Sequence, residues 1–284
     1  MLDVTFYGVR GSTPCSGPAI ARYGGNTSCV VVQVPGQEPI LCDLGTGLRY
    51  FGETVDGDRP FRATALVSHI HWDHIQGLPF FPPVLKPGAE LDIVGPVQDG
   101  ASLEEALKAG LAPPLFPVSL AELDGTFRFR EISAGCFSVG KATVTVFPLH
   151  HVGPTNGYRI EAGGAAVAYV SDFQQPLDGS MTISRSVVEG CHGVDVLIHD
   201  AQYDAEEFAR KSDWGHCTVQ YSVAVARAVQ ASRLVLYHHD PTHDDRWVDR
   251  AVEWAQEAAG DDVEVIGASE GLTLRVGARG SAGC

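Results

Sequence analysis

His69-Ile-His71-Trp-Asp73-His74 packs three histidines and an aspartate into six residues. The apolar segment Thr64-Ala-Leu-Val67 precedes it and Gln76-Gly77 follows, so four ligand-type side chains leave one predicted strand end. His69 and His71 are two apart and point the same way on an extended chain, while Asp73 and His74 fall where the chain turns. A lone histidine would read as a surface or capped residue. This density reads as a ligand motif, with one pair available to each of two metals. Imidazole and carboxylate donors without thiolate suit Zn2+, Mn2+ or Fe, and a catalytic zinc takes about three protein ligands with one position open.

Further ligands have to come from elsewhere, and other apolar strand ends offer them. His150-His151 follows Val144-Thr-Val-Phe-Pro-Leu149, Asp172 follows Val167-Ala-Tyr-Val170, and His238-His239 follows Leu234-Val-Leu-Tyr237. The pattern around them is β-rich. Short strands are expected at Val4–Gly8, Ser28–Gln33, Ala65–Val67, Leu91–Val94, Phe127–Ile132 and Ala142–Phe147, with a hairpin turning at Gly163-Gly164. In the first half only Ser102 to Ala109 reads as helix. In the second, Thr218 to Val229 and Asp244 to Ala258 do, alternating with strands at Val194–Ile198 and Arg233–Tyr237. Two β blocks, each followed by helices and with no linker between them, suit two face-to-face sheets with helices outside. We therefore expect an α/β chain forming one αββα domain over residues 1–276, with 277–284 as a loose tail.

His-x-His-x-Asp-His followed by these strand-end residues resembles the metallo-β-lactamase superfamily, whose fold is a four-layer αββα sandwich. The resemblance implies that one divalent metal takes His69, His71 and His151, the other takes Asp73, His74 and His238, and Asp172 bridges them. His151 is preferred to His150 because the run His151 to Gly157-Tyr158-Arg159 is similar to the ribonuclease Z branch. His238 is preferred to His239 because that ligand directly follows an apolar strand. Asp43-Leu-Gly-Thr-Gly47 resembles the early aspartate motif that shapes the metal loop.

Two further segments point to the same branch. Ile198-His-Asp200-Ala-Gln-Tyr203 and Gly215-His216-Cys-Thr218 resemble the His-Glu-Ala-Thr and His-Ser-Thr motifs of ribonuclease Z-like phosphodiesterases. The chain departs from them in carrying Asp200 for glutamate and Cys217 for serine, which shortens the reach of the acid. The resemblance implies that His216, paired with Asp200, binds the phosphate or gives a proton to the departing oxygen. Asp73, His216 and Asp200 are thus the expected catalytic residues. As an ordinary feature, Gly-His-Cys-Thr is also a helix entrance with Thr218 as its cap.

The expected chemistry is hydrolysis of phosphodiesters by a metal-bridging hydroxide, with two ions, zinc first, clamping the phosphoryl oxygens. The formal charge of -15 opposes polyanions at long range, and only a tight hairpin joins Tyr158 to Asp172 where ribonuclease Z commonly carries an RNA-gripping arm. A small anionic ester, a cyclic nucleotide or cyclic phosphate, is therefore expected as substrate, with no large nucleic acid as partner. The Gly-rich loops Arg10–Pro14 and Ala21–Ser28 could bring Arg22, Tyr23 or Asn26 to a substrate, though turn chemistry accounts for them equally. Leu78-Pro-Phe-Phe-Pro-Pro83 reads as an apolar wall or a buried loop. Seven cysteines without a Cys-x-x-Cys pair, and an N-terminus without a basic leader or long apolar run, suggest a cytoplasmic protein with no membrane contact; the resemblance to the ribonuclease Z branch allows a homodimer. The rival readings are an arylesterase, lactonase or phosphotriesterase on the same metals, and a non-hydrolytic di-iron or metal-binding protein.

Overall fold

A computed structural model describes residues 1–277, so the expected tail lies, except for Gly277, outside the described residues. Among the described residues, fourteen strands and seven α-helices follow one another. The first half holds β1 (Leu2–Gly8), β2 (Cys29–Gln33), β3 (Ile40–Cys42), α1 (Leu48–Thr54), β4 (Arg62–Leu66), α2 (Trp72–Ile75), β5 (Glu90–Gly95), α3 (Leu103–Gly110), β6 (Thr126–Glu131) and β7 (Gly135–Val139). The second holds β8 (Ala142–Pro148), β9 (Asn156–Ala162), β10 (Ala165–Val170), α4 (Arg185–Cys191), β11 (Val196–Asp200), α5 (Ala205–Lys211), α6 (Val219–Ala228), β12 (Arg233–Tyr237), α7 (Asp245–Ala259), β13 (Glu264–Gly267) and β14 (Thr273–Val276).

The strands form two seven-stranded sheets, ordered β14-β1-β2-β3-β4-β5-β6 and β13-β12-β11-β10-β9-β8-β7. Side-chain alternation explains how they stack. In β2, Val30 and Val32 enter the core shared by both sheets, where they join Val4, Phe6, Val144, Ile160, Tyr169 and Tyr237. Cys29 and Val31 point the other way, towards Leu48 and Phe51 of α1 and Leu103 and Leu107 of α3. On the second sheet Ala168, Val170, Leu197 and Leu236 face α4, α6 and α7 through Val187, Val225 and Ala255. Away from the largely exposed edge strands β6 and β7, both faces of each sheet are buried, which gives the four layers of the metallo-β-lactamase sandwich and the near-continuous apolar runs of its inner strands.

Local chemistry sets the helix starts. Ser102, Thr218 and Asp244 each accept a hydrogen bond from a backbone N–H in the first turn of α3, α6 and α7, and each such cap is worth about 1 kcal/mol. Thr218 is therefore the cap that Gly-His-Cys-Thr suggested. One expectation fails here: α1 is a helix of the first half besides the one at Ser102. Its sequence Leu-Arg-Tyr-Phe-Gly-Glu-Thr contains glycine, threonine and two aromatics, all weak helix formers. Packing of Phe51 against Phe61 and Phe81 forms it instead. Phe81 also decides the Leu78–Pro83 segment, which anchors inward through that buried ring and exposes Phe80. Among the described residues no helix is long and apolar enough to cross a membrane.

Candidate metal centre

The parallel strands β10, β11 and β12 end on the same side, and the loops after them meet the loop after β4 across the sandwich. Side chains at these strand ends converge, as the open ends of parallel strands commonly arrange. The ligand atoms of His69, His71 and His151 lie within 4.8 Å of one another, and so do those of Asp73, His74 and His238. Asp172 stands between the two groups. Its Oδ1 is 3.2 Å from His74 Nε2 and 3.4 Å from His238 Nε2, while its Oδ2 is 3.8 Å from His69 Nε2 and 3.7 Å from His151 Nε2. His150 is exposed, and the ring of His239 turns away to Ala268 O, 3.0 Å from its Nε2. All seven expected ligands are thus brought together, and the neighbouring histidine of each doublet is not.

A second set of residues aims the first. Asp43 is fully buried and accepts from His74 Nδ1 at 2.7 Å, Ser68 N at 2.6 Å, Ser68 Oγ at 2.8 Å and Tyr169 Oη at 2.7 Å. His151 Nδ1 donates to Gly215 O at 2.7 Å, and His238 Nδ1 to Gln202 Oε1 at 2.8 Å. Each of these bonds leaves Nε2 of the ring free to face the cluster. Ser12 N donates to Asp73 Oδ2 at 2.8 Å. Ser12, Asp43 and His238 all have φ near +60°, a region that residues other than glycine occupy at a cost and that clusters at functional sites.

Donor chemistry and charge fit divalent metal ions. His69 Nε2, His74 Nε2 and Asp172 Oδ1 are buried without a well-aligned hydrogen-bond partner, a costly state unless a cation satisfies them. Burial pushes His151 down to about 4, and burial beside His74 holds His69 well below the usual imidazole range. Burial would raise Asp73 and Asp172, but the surrounding histidines hold both carboxyls well below the usual range. Neutral imidazole and ionised carboxylate are the forms that bind metal. His74 is the exception: burial opposes its charge, yet Asp73, Asp172 and Asp43 hold it well above the usual range. Three carboxylates around one ring call for positive charge at that spot.

Next to both groups stands His216, its ring 5.1 Å from that of His238 and 5.6 Å from that of His151. Its Nδ1 is 2.9 Å from Asp200 Oδ2, so the shorter acid still reaches. Asp200 is fixed by Phe173 N at 3.1 Å and Gln202 N at 3.0 Å. Burial would lower His216, but the Asp200 carboxylate outweighs it and keeps the imidazole above its ordinary value. Cys217 is buried, its Sγ set against Asp200 O at 3.1 Å, and burial pushes its thiol well up, which leaves it no part as a nucleophile.

Arg22 and Tyr23 do not reach the cluster, because both bind Asp249 of α7, and Asn26 binds Glu270. Residues that the sequence reading passed over brace the site instead. Gln174 Oε1 accepts from Gly215 N at 2.8 Å, Gln175 Oε1 accepts from Thr218 Oγ1 at 2.9 Å, and Gln202 orients His238. Gln202 lies inside the quoted Asp200 segment, and Gln174 and Gln175 directly follow Asp172 and Phe173. Proximity to expected ligands was the signal available for all three.

Residues 40–239 match the family described as beta-lactamase superfamily domain. The chain belongs to that superfamily. It is 25% identical over 317 residues to a ribonuclease Z of Haloarcula marismortui, covering 97% of each chain. To a ribonuclease Z of Pyrococcus furiosus it is 24% identical over 288 residues, covering 86% of this chain and 88% of the other. In fold it is similar to the metallo-β-lactamase-fold protein YhfI of Bacillus subtilis, with TM-score 0.71, 20% identity and coverage of 96% and 98%. It is also similar to the short form of human tRNase Z, with TM-score 0.69, 22% identity and coverage of 96% and 99%. Superfamily and relatives together make the chain a metal-dependent hydrolase.

These relatives overturn one expectation. A small anionic ester with no large nucleic acid as partner does not follow when the matched relatives are ribonucleases along most of their length. The physical reason is range. A net charge of -15 is an average over the surface, and at physiological salt it is screened beyond about 8 Å. A cation-binding cluster acts within that distance, so overall acidity excludes no phosphodiester, large or small.

Proposed function

We propose that this chain hydrolyses nucleotide phosphodiesters with two divalent metal ions, zinc first among them, held by His69, His71 and His151 on one side and Asp73, His74 and His238 on the other. The observation that carries the reading is Asp172, whose two carboxylate oxygens face different histidine groups while His216 stands beside both. The nitrogen-rich donor set without thiolate favours zinc. When bound, the metals would activate water near neutral pH and neutralise charge on the phosphoryl oxygens.

The chain's own residues supply the rest. Asp43, Gly215 O and Gln202 hold ligand rings in orientation. Asp200, accepting from His216 Nδ1, favours the charged form of that imidazole and leaves Nε2 to carry the proton that the leaving oxygen needs. Asp73 Oδ2, held by Ser12 N and beside His74 and His238, would hold the metal on that side. An arylesterase releases a phenoxide, a better leaving group than a sugar oxygen, and has less use for the His216–Asp200 pair, which is why the pair favours phosphodiesters.

Two substrate forms remain within this reading. A cyclic nucleotide suits the short β9–β10 connection, where Gly163 and Gly164 turn the chain in two residues. RNA is favoured by the ribonuclease relatives. The test is chromatographic assay of the metal-loaded protein on 3′,5′- and 2′,3′-cyclic nucleotides, a structured RNA and bis(p-nitrophenyl) phosphate, beside a His69→Ala, His71→Ala control. Turnover that the control lacks supports the reading and names the form. Full metal occupancy with no phosphodiester cleaved rejects it in favour of the esterase class.

A further inference from the structure

We propose that Gln202 is the positioning residue for the His238 end of the metal centre, an inference that rests on reading His238 as a ligand. Gln202 follows β11 and is 2% exposed. Its backbone N–H donates to Asp200 Oδ1 at 3.0 Å, and its side-chain Oε1 accepts from His238 Nδ1 at 2.8 Å. The same residue therefore touches both the His216–Asp200 pair and the ligand group.

The amide orientation is forced from behind. Gln202 Nε2 lies 3.5 Å from Asp240 Oδ2. That carboxylate takes Lys211 Nζ at 3.1 Å on Oδ2, and Thr242 N at 2.9 Å and Thr242 Oγ1 at 2.6 Å on Oδ1. An ionised carboxylate only accepts, so it admits the NH2 edge of the amide and repels the carbonyl edge. The carbonyl must then face His238, which places a ring hydrogen on Nδ1 and leaves Nε2, 3.1 Å from Asp73 Oδ2, to share a cation with that carboxylate. Metal binding requires that tautomer when Nε2 is the donor.

Backbone strain makes the orienter necessary. His238 sits at φ +58°, a left-handed conformation that an L-residue adopts at a cost and that persists only where its surroundings fix it. Gly11 closes the other side: a Cβ there would lie 2.4 Å from the His238 ring and 2.8 Å from Gln202 Oε1. The ring is held between the Gly11 backbone and the Gln202 amide, and His239, lacking such a partner, turns to Ala268 O.

The test compares Gln202→Leu, which removes the acceptor at similar volume, with the paired variant Gln202→Glu, Asp240→Asn, which retains an acceptor and removes the carboxylate that would repel it. Metal-free proteins are titrated with Zn2+ against a chromogenic chelator, and thermal unfolding of each metal-free protein checks the fold. The expected result is two ions in the wild type, one of them weakened about 10–100-fold in Gln202→Leu with the other unchanged, and recovery in the paired variant Gln202→Glu, Asp240→Asn. Equal affinity for both ions in Gln202→Leu, or no recovery in the paired variant, overturns the proposal. Nitrogen-15 spectra of the zinc-loaded wild type give a check that needs no variant: His238 is expected to keep a hydrogen on Nδ1, and a metal-bound Nδ1 refutes it. A wild type that binds no ion at all would instead sink the metal centre itself, an outcome distinct from unchanged affinity in the variant.

Discussion

Replacing Asp43 separates the work of the aiming residues from that of the ligands. The carboxylate accepts four hydrogen bonds in a fully buried place, from Ser68 N, Ser68 Oγ, His74 Nδ1 and Tyr169 Oη. Ser68 Oγ has Ser171 Oγ at 3.2 Å as another partner, so Asp43→Ala strands three donors at about 1–3 kcal/mol each. Alanine at φ +60° adds about 1–2 kcal/mol. The sum, roughly 4–11 kcal/mol, rivals the 5–15 kcal/mol that holds a typical domain together, and Asp43→Ala should not fold stably. Asp43→Asn is the informative variant, because asparagine tolerates positive φ and keeps one acceptor oxygen. It should lose roughly 2–4 kcal/mol in urea unfolding with chelator present, from one or two stranded donors, and bind one metal about 10–100-fold more weakly because His74 is no longer aimed. Tyr169→Phe calibrates the scale, deleting a single donor for about 1 kcal/mol with metal affinity unchanged. If Asp43→Asn unfolds within about 1 kcal/mol of the wild type and binds both ions as tightly, the account of the aiming residues is wrong.

His216→Ala should lower phosphodiester turnover by about 10²–10⁴-fold while metal content, measured by elemental analysis, stays at the wild-type value; equal loss of metal would make His216 a ligand instead. Burial would raise the Asp240 carboxyl, but Thr242 and Lys211 bring it from 3.8 down to about 2. Its contribution to stability is then complete above the ordinary carboxylate value and lost as pH falls through the folded one. The urea midpoints of wild type and Asp240→Asn should accordingly differ by a constant amount above that window and converge within it. Gly77→Ala would place a Cβ 1.9 Å from Gly45 O and 2.9 Å from Leu44 O, so the metal loop must move; lowered metal stoichiometry with a lowered midpoint is expected, and an unperturbed variant would show that the loop yields freely.

What the sequence determined by itself was local. His69, His71, Asp73 and His74 leave one strand end, so spacing alone brings their side chains to one place, and the caps Ser102, Thr218 and Asp244 are read within a single helical turn. The apolar runs of strands such as β2 were equally legible, but not which layer each residue faces, since a strand buried on both sides shows no alternation. Tertiary structure decided whatever depends on partners distant in the chain. Neither α1, formed by packing on Phe61 and Phe81, nor the choice of His238 over His239, made by Gln202 and a left-handed backbone, has a nearby signature. The 2.9 Å contact of His216 with Asp200, and the place of Asp172 between two histidine groups, required the strand order of the second sheet. Arg22 and Asn26 were free in the sequence and are tied to Asp249 and Glu270 in the fold. The net charge misled for a related reason: it sums over the whole chain, whereas recognition of a phosphodiester depends on the charge within a few ångströms of the strand ends.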